Sequence, residues 1–246
     1  MNLTKIEYLD RTWNPISGCS PVSQGCENCW AQKMAKRLQA MGVKGYENGF
    51  TPTVHPERLD EPLKVRVPSV VGVSFMGDLF HKDIPYSFID SVWSRIAQCP
   101  HHTFLILTKR PERMARFVNE VGVFNYGILS NMWLGVTMET YWYSERMDIL
   151  KTIPAKVRFL SIEPMLMAMP DNMDLSGISW VICGAESGPG KRHMEIEWVR
   201  SLKDQCVNAD IPFFFKQMVA LSHGWLISMP ALDGQRWDQM PKEFPK

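Results

Sequence analysis

Short, predominantly apolar runs recur along this chain, and each leads into a stretch with helical character. They are Val70–Phe75, Thr103–Leu107, Met132–Val136, Val157–Ser161, Trp180–Cys183 and Pro212–Phe215, with a shorter candidate at Thr12–Trp13. A strand with one wet face alternates apolar and polar residues, whereas a strand covered on both faces is apolar throughout. Such runs therefore predict a parallel sheet between layers of helices. The segments between them fit helices: one from near Pro85 to Gln98, one opening at Pro111, and one through Glu145 and Arg146 to Leu150. Proline in a first turn loses no hydrogen bond that the helix would make. Six or seven strand-then-helix units make an α/β chain, a complete or partial (β/α) barrel of parallel strands.

Length and composition agree with that architecture. A chain of 246 residues with 45% apolar content can fill one large core. We expect a single domain over residues 1–246, with an irregular rim excursion at 42–68. The tail, 221–246, should pack back through Trp225, Trp237 and Phe244. Met165, Met167 and Met169 follow a strand end and are expected to fill core space. With 27 basic and 26 acidic residues the net charge is +1, which excludes a strong global field toward nucleic acid or anionic lipid. The first residues are charged rather than apolar, and no segment has the length of a membrane span, so no membrane partner and a reducing, cytoplasmic location are expected.

Half of the six cysteines fall in one loop. Cys19, Cys26 and Cys29 form a C-x6-C-x2-C triplet between the first strand candidate and a helix read over Trp30–Met41. A disulfide framework needs even numbers, and a structural zinc site takes its thiolates as pairs. Three thiolates on one loop suit a four-iron, four-sulfur cluster with one iron left open. Cys99, Cys183 and Cys206 lie among apolar neighbours and read as small buried hydrophobes.

In barrel-like folds chemistry gathers at the C-terminal strand ends. Those exits carry Gly77-Asp78, Lys109-Arg110, Thr137 and Glu139, Ser161 and Glu163, Glu186 and Lys216. The stretch Gly184–Gly190 is glycine-rich but lacks phosphate-loop spacing, so it reads as a turn passing close to the barrel mouth.

A three-cysteine loop ahead of parallel strands resembles the radical S-adenosylmethionine superfamily. The chain is more closely similar to a family of uncharacterised phage and bacterial proteins near it. The segments that carry this are Thr12-Trp-Asn-Pro-Ile-Ser-Gly-Cys, Phe75-Met-Gly-Asp-Leu-Phe-His, Leu105-Ile-Leu-Thr-Lys-Arg-Pro-Glu-Arg, Arg158-Phe-Leu-Ser-Ile-Glu-Pro, Gly184-Ala-Glu-Ser-Gly-Pro and Pro212-Phe-Phe-Phe-Lys-Gln. The resemblance implies a radical S-adenosylmethionine enzyme with a TIM-type barrel. It assigns Cys19, Cys26 and Cys29 to a [4Fe-4S] cluster. Gly77 and Asp78 would hold the methionyl end of S-adenosyl-L-methionine, Thr137, Glu139 and Ser161 its ribose and carboxylate. Asn28 and Trp30, flanking Cys29, would meet the adenine. Lys109, Glu163, Glu186 and Lys216 would face an unknown substrate, with nucleic acid or a nucleotide first in line. An electron donor such as flavodoxin or ferredoxin would be the protein partner. The first gap departs from the superfamily, holding six residues where three are usual, and the aromatic follows the last cysteine instead of preceding it.

Two other readings compete. In one, His81 completes a structural zinc site with the three cysteines. In the other, Lys33, Lys36, Arg37, Lys109, Arg110 and Arg113 meet nucleic-acid phosphates while Trp30 stacks on a base, with no catalysis.

Overall fold

The computed structural model describes residues 1–220 and 224–245. Its main sheet has nine strands whose spatial order is their chain order. They are β1 (Asn2–Leu3), β2 (Arg11–Trp13), β3 (Val70–Val73), β4 (Thr103–Thr108), β5 (Met132–Thr137), β6 (Val157–Ile162), β7 (Trp180–Gly184), β8 (Phe213–Val219) and β9 (Leu226–Ser228). Every neighbouring pair from β2 to β8 is parallel. The outermost strands, β1 and β9, run antiparallel to their neighbours.

The strand runs contribute to two cores. Phe104, Leu134, Leu160, Val181 and Phe213 face outward and pack with helix residues in a large cluster. Leu105, Trp133, Phe159, Trp180 and Phe214 face inward and form a second one. Period-two alternation thus separates faces that are both apolar, which is why the runs look continuous in sequence. The covering helices are α1 (Trp30–Ala40), α2 (Tyr86–Ala97), α3 (Pro111–Phe117), α4 (Glu145–Thr152) and α5 (Ile196–Asn208). As expected, Pro111 sits in the first turn of α3. Cys99, Cys183 and Cys206 are fully buried in the outer core.

The sheet curls without closing. Tyr8, between β1 and β2, packs edge-on against Trp180 and Phe214 of β7 and β8, each at 5.5 Å between ring centroids. That contact brings the two ends of the sheet together across the inner core, yet among the described residues β1 and β9 do not pair. Of the two expected forms, the partial barrel is the one observed.

The 42–68 excursion is mostly turns, with Thr53–Val54 pairing Ile16–Ser17 next to the cysteine loop. Residues 221–223 and 246 of the expected tail lie outside the described residues. Within the tail, Phe244 reaches Trp133 at 5.9 Å and Trp237 reaches Phe213 at 6.4 Å. Trp225 departs from expectation and is exposed. Phe244 and Trp133 belong to the inner core near the strand N-termini, so the opposite, C-terminal end is the open one. Among the described residues no helix is long and apolar enough to cross a membrane.

Candidate functional site

At the C-terminal end of the sheet lies a cavity of about 720 Å³. Cys19, Cys26 and Cys29 line it, each half-buried. Gly18 docks the start of their loop: its N–H donates to Met76 O at 2.9 Å, and it bridges to Gly77. Gly18 has φ of +84°, and a side chain there would run into the Thr51 carbonyl, so glycine is required by both conformation and space. Asn28, Trp30, Gly77, Asp78, Lys109, Thr137, Ser161, Glu163, Glu186 and Lys216 line the same cavity. Six strand exits do converge with the cysteine loop. The strand ends supply this convergence because every strand from β2 to β8 points the same way.

Glu139 is the exception. It is fully buried and absent from the cavity wall. Its carboxylate accepts from Ser23 Oγ at 2.5 Å and Arg146 Nη1 at 2.9 Å, and pairs with Lys109. Burial alone would raise its pKa, but Lys109, Ser23 and Arg146 together hold it below the usual carboxylate range. Glu139 therefore anchors the cysteine loop from beneath and is corrected from the cofactor set. Its position two residues beyond the end of β5 turns it away from the mouth.

Two expected substrate-facing groups are likewise committed to the loop. Lys109 Nζ reaches Cys26 Sγ at 3.8 Å while pairing with Glu139. Glu186 accepts from Asn28 Nδ2 at 3.0 Å and from Arg192 Nε at 3.1 Å. Arg192 in turn reaches Glu27 Oε2 and Gln24 O, each at 3.0 Å. Burial would raise Glu186, and the Arg192 hydrogen bonds outweigh it, leaving the carboxyl lowered. The 184–190 turn is tied down as well: Asn28 Nδ2 donates to Gly190 O at 3.1 Å and Lys33 Nζ to Pro189 O at 3.0 Å.

Asp78 lines the cavity inside a small network. Its Oδ1 accepts from Phe80 N at 2.9 Å and Thr108 Oγ1 at 2.7 Å, and its Oδ2 from Arg110 Nη1 at 2.7 Å. It caps no helix, since α2 begins at Tyr86 behind Pro85. A long Lys109 N–H contact of 3.4 Å to Oδ2 is the fourth, which matches the about four acceptor directions of a carboxylate.

The cysteines differ electrostatically. Burial, with Asp78 adding to it, pushes the Cys19 thiol up to about 11 although Arg110 Nη1 sits 3.3 Å away. For Cys26 burial acts in the same direction, but the charge of Lys109 and hydrogen bonds from its own loop bring it below its ordinary value.

On the same cavity, Lys216 Nζ lies 2.9 Å from Glu163 Oε1 as an ion pair. Ser161 Oγ donates to Glu163 Oε2 at 3.1 Å, and Lys216 Nζ stands 5.7 Å from the Tyr8 ring. Burial would lower the Lys216 pKa, but Glu163 and Tyr8 raise it, so the ammonium is held charged. Asn14 lines the cavity and accepts from Met76 N at 3.0 Å; like Tyr8 and Arg192, it is not among the residues that the sequence singles out. Asn14 directly follows the Thr12–Trp13 candidate, a strand-exit signal that could have found it. Tyr8 and Arg192 lie in loops and carry no such signal.

The zinc reading does not fit. His81 Nε2 donates to Ser20 Oγ at 2.7 Å and its Nδ1 accepts from Asp83 N at 3.2 Å, so neither nitrogen is open to a metal. Among the described residues no three His, Cys, Asp or Glu groups converge as one ion requires. Three thiols on one loop, two of them beside a cation, fit a larger anionic cluster instead. The phosphate reading loses four of its six residues: Lys109 and Arg110 turn inward to the cysteine loop, Arg113 donates to the His81 and Ile84 carbonyls, and Lys33 to the Pro189 carbonyl.

Comparison with known proteins places the chain. Residues 3–241 match the family described as protein of unknown function, DUF5131. The chain belongs to that family. No curated protein matches its sequence. Among solved structures, a cysteine-to-serine variant of spore photoproduct lyase aligns with a TM-score of 0.50 and 11% identity, covering 83% of this chain and 62% of the lyase. The lyase complexed with a dinucleoside spore photoproduct aligns at 0.47 and 10% identity, over 79% and 60%. A lyase structure with bound AdoMet and that dinucleoside aligns at 0.45 and 9%, over 79% and 60%. This DUF5131 chain thus spans about 62% of the length of the lyase it matches, and the likeness is one of fold.

Proposed function

We propose that this DUF5131 chain is a radical S-adenosylmethionine enzyme whose [4Fe-4S] cluster is held by Cys19, Cys26 and Cys29. The observation that carries the reading is that these three half-buried thiols share one loop on one cavity at the C-terminal strand ends. The fold likeness is to spore photoproduct lyase, itself a radical S-adenosylmethionine enzyme.

When bound, the cluster and S-adenosyl-L-methionine supply a reducing electron and a 5′-deoxyadenosyl radical that takes hydrogen from substrate. The chain's own groups bind and orient. Gly77 permits close backbone approach, and the Asp78 carboxylate on the cavity wall would favour an ammonium nearby through its charge. Thr137 and Ser161 offer hydroxyls at neighbouring strand ends, while Trp30 and Asn28 flank the last cysteine. The Glu163–Lys216 pair on the cavity wall would face the substrate. The curled sheet and the Phe244–Trp133 contact keep water from the far end.

Nucleic acid or a nucleotide is the first substrate class to test. Trp30 is 46% exposed at the mouth, and Lys36 and Arg37 are exposed on the same helix, α1. A flavodoxin or ferredoxin in the cytoplasm would supply the electron.

The test is anaerobic purification with iron, sulfide and visible-absorption measurement, followed by assay of 5′-deoxyadenosine released with a chemical reductant. About four irons and four sulfides per chain, with that product formed, support the reading. A chain that takes up zinc but no iron and sulfide overturns it.

A further inference from the structure

Each cysteine of the loop has beside it a charged or amide group tied to the exit of a distant strand. At Cys19, Arg110 Nη1 is shared between the sulfur at 3.3 Å and Asp78 Oδ2 at 2.7 Å, while Nη2 donates to Ser20 O at 2.9 Å and Ser20 Oγ at 3.2 Å. At Cys26, Lys109 Nζ stands 3.8 Å from the sulfur and pairs with Glu139, which also accepts from Ser23 Oγ. Next to Cys29, Asn28 is held by Glu186, and Arg192 ties that carboxylate to Glu27 and the Gln24 carbonyl. The loop also has its own backbone bonds: Cys26 N–H donates to Ser23 O at 2.9 Å and Cys19 N–H to Phe50 O at 3.0 Å.

We propose that the cysteine loop is folded before any metal reaches it, held by these three clamps, and that Arg110 is a positioning residue for Cys19. A loop organised by its metal alone would have no reason to draw cations and carboxylates from four strand exits. Charge-assisted hydrogen bonds in a half-buried site are short and directional, so three of them along the loop fix its path. Arg110 grips Asp78, Cys19 and Ser20 with one planar fork, a geometry a lysine cannot copy. Its charge beside a ligating sulfur also favours the reduced form of whatever the thiolates hold.

The second half of this inference rests on the cluster reading; the first does not, and the experiment separates them. Hydrogen exchange is followed by mass spectrometry on the full-length, reduced, chelator-treated protein. Amides in residues 18–30 should exchange at least about tenfold more slowly than an unstructured peptide of that sequence. Arg192→Gln should remove about tenfold of that protection while β4 to β7 keep theirs, which shows the fold intact. Unprotected exchange in the metal-free wild type, with protection appearing only on adding iron and sulfide, overturns the clamps. So does an Arg192→Gln loop that exchanges like the wild type.

The second arm measures the midpoint potential of reconstituted wild type, Arg110→Gln and Arg110→Lys. Loss of the cation should shift the potential negative, and lysine should restore part of it. Equal potentials in all three overturn the role of Arg110. A wild type that binds no iron overturns the proposed function and with it the role of Arg110, while the exchange arm still decides the clamps.

Discussion

Glu139 lies so close beneath Gly25 that the glycine has no room for a side chain: a Cβ there would overlap the carboxylate. The pair is 114 positions apart in the chain (139 minus 25), yet it sets how the cysteine loop lies against the end of β5. Gly25→Ala must therefore push the loop or the carboxylate away. The expected cost is about 1–3 kcal/mol of stability, the usual range for overpacking a tight site. Urea unfolding checks this, and bound iron should fall with it. A variant as stable as the wild type would mean that the loop yields freely there.

The cysteines should divide into two sets. Cys19→Ala, Cys26→Ala and Cys29→Ala should each abolish bound iron. Cys183→Ser should keep the iron and instead lose about 1–3 kcal/mol of stability, because a hydroxyl is placed in an apolar core. Full iron content after loss of Cys26 would remove the loop from the ligand assignment.

Acid should loosen the loop. Glu139 and Glu186 both titrate below their ordinary range: burial opposes this in each, and the cationic partners outweigh it. Their clamps therefore contribute fully above the unfolded carboxylate value of about 4.3, and that contribution is lost as pH falls through the lower folded values. Cleavage between residues 18 and 30 by an acid-active protease should rise below about pH 4. Glu186→Gln should weaken that acid dependence. A cleavage rate flat from pH 6 to pH 3 would show that these carboxylates do not hold the loop.

Asp78→Asn should be destabilising as well as harmful to cofactor binding. The carboxylate is the ion-pair partner of Arg110, whose side chain is only 12% exposed, so the guanidinium would lose its counter-charge. Breaking such a pair costs about 2–4 kcal/mol, somewhat less than for a fully buried one. Chemical denaturation of the metal-free variant measures this directly. Unchanged stability would mean that Arg110 finds another anion, and calorimetric titration with S-adenosyl-L-methionine would then report cofactor binding alone.

Local chemistry determined much of this protein. The strand runs were legible because a strand buried on both faces is apolar along its length, as Val70–Val73, Phe104–Leu107 and Met132–Val136 are. The cysteine loop was legible because three thiols within eleven residues satisfy neither disulfide nor paired-ligand chemistry, and the polar strand exits because parallel strands all end on one side. Only the tertiary structure decided which exits face the cavity and which hold the loop. Ser23 meets Glu139 across 116 positions and Asn28 meets Glu186 across 158, and no spacing or periodicity encodes such a pairing. Tyr8, buried among Trp180 and Phe214, has the same origin, since its loop reaches the inner core only when the sheet curls. Glu139 and Thr137 illustrate the limit. They lie two residues apart at one strand end, yet the turn after β5 points one into the cavity and the other beneath the loop. A charge in that half-buried space must find its counter-charge, and where the strands end decides which partner is within reach.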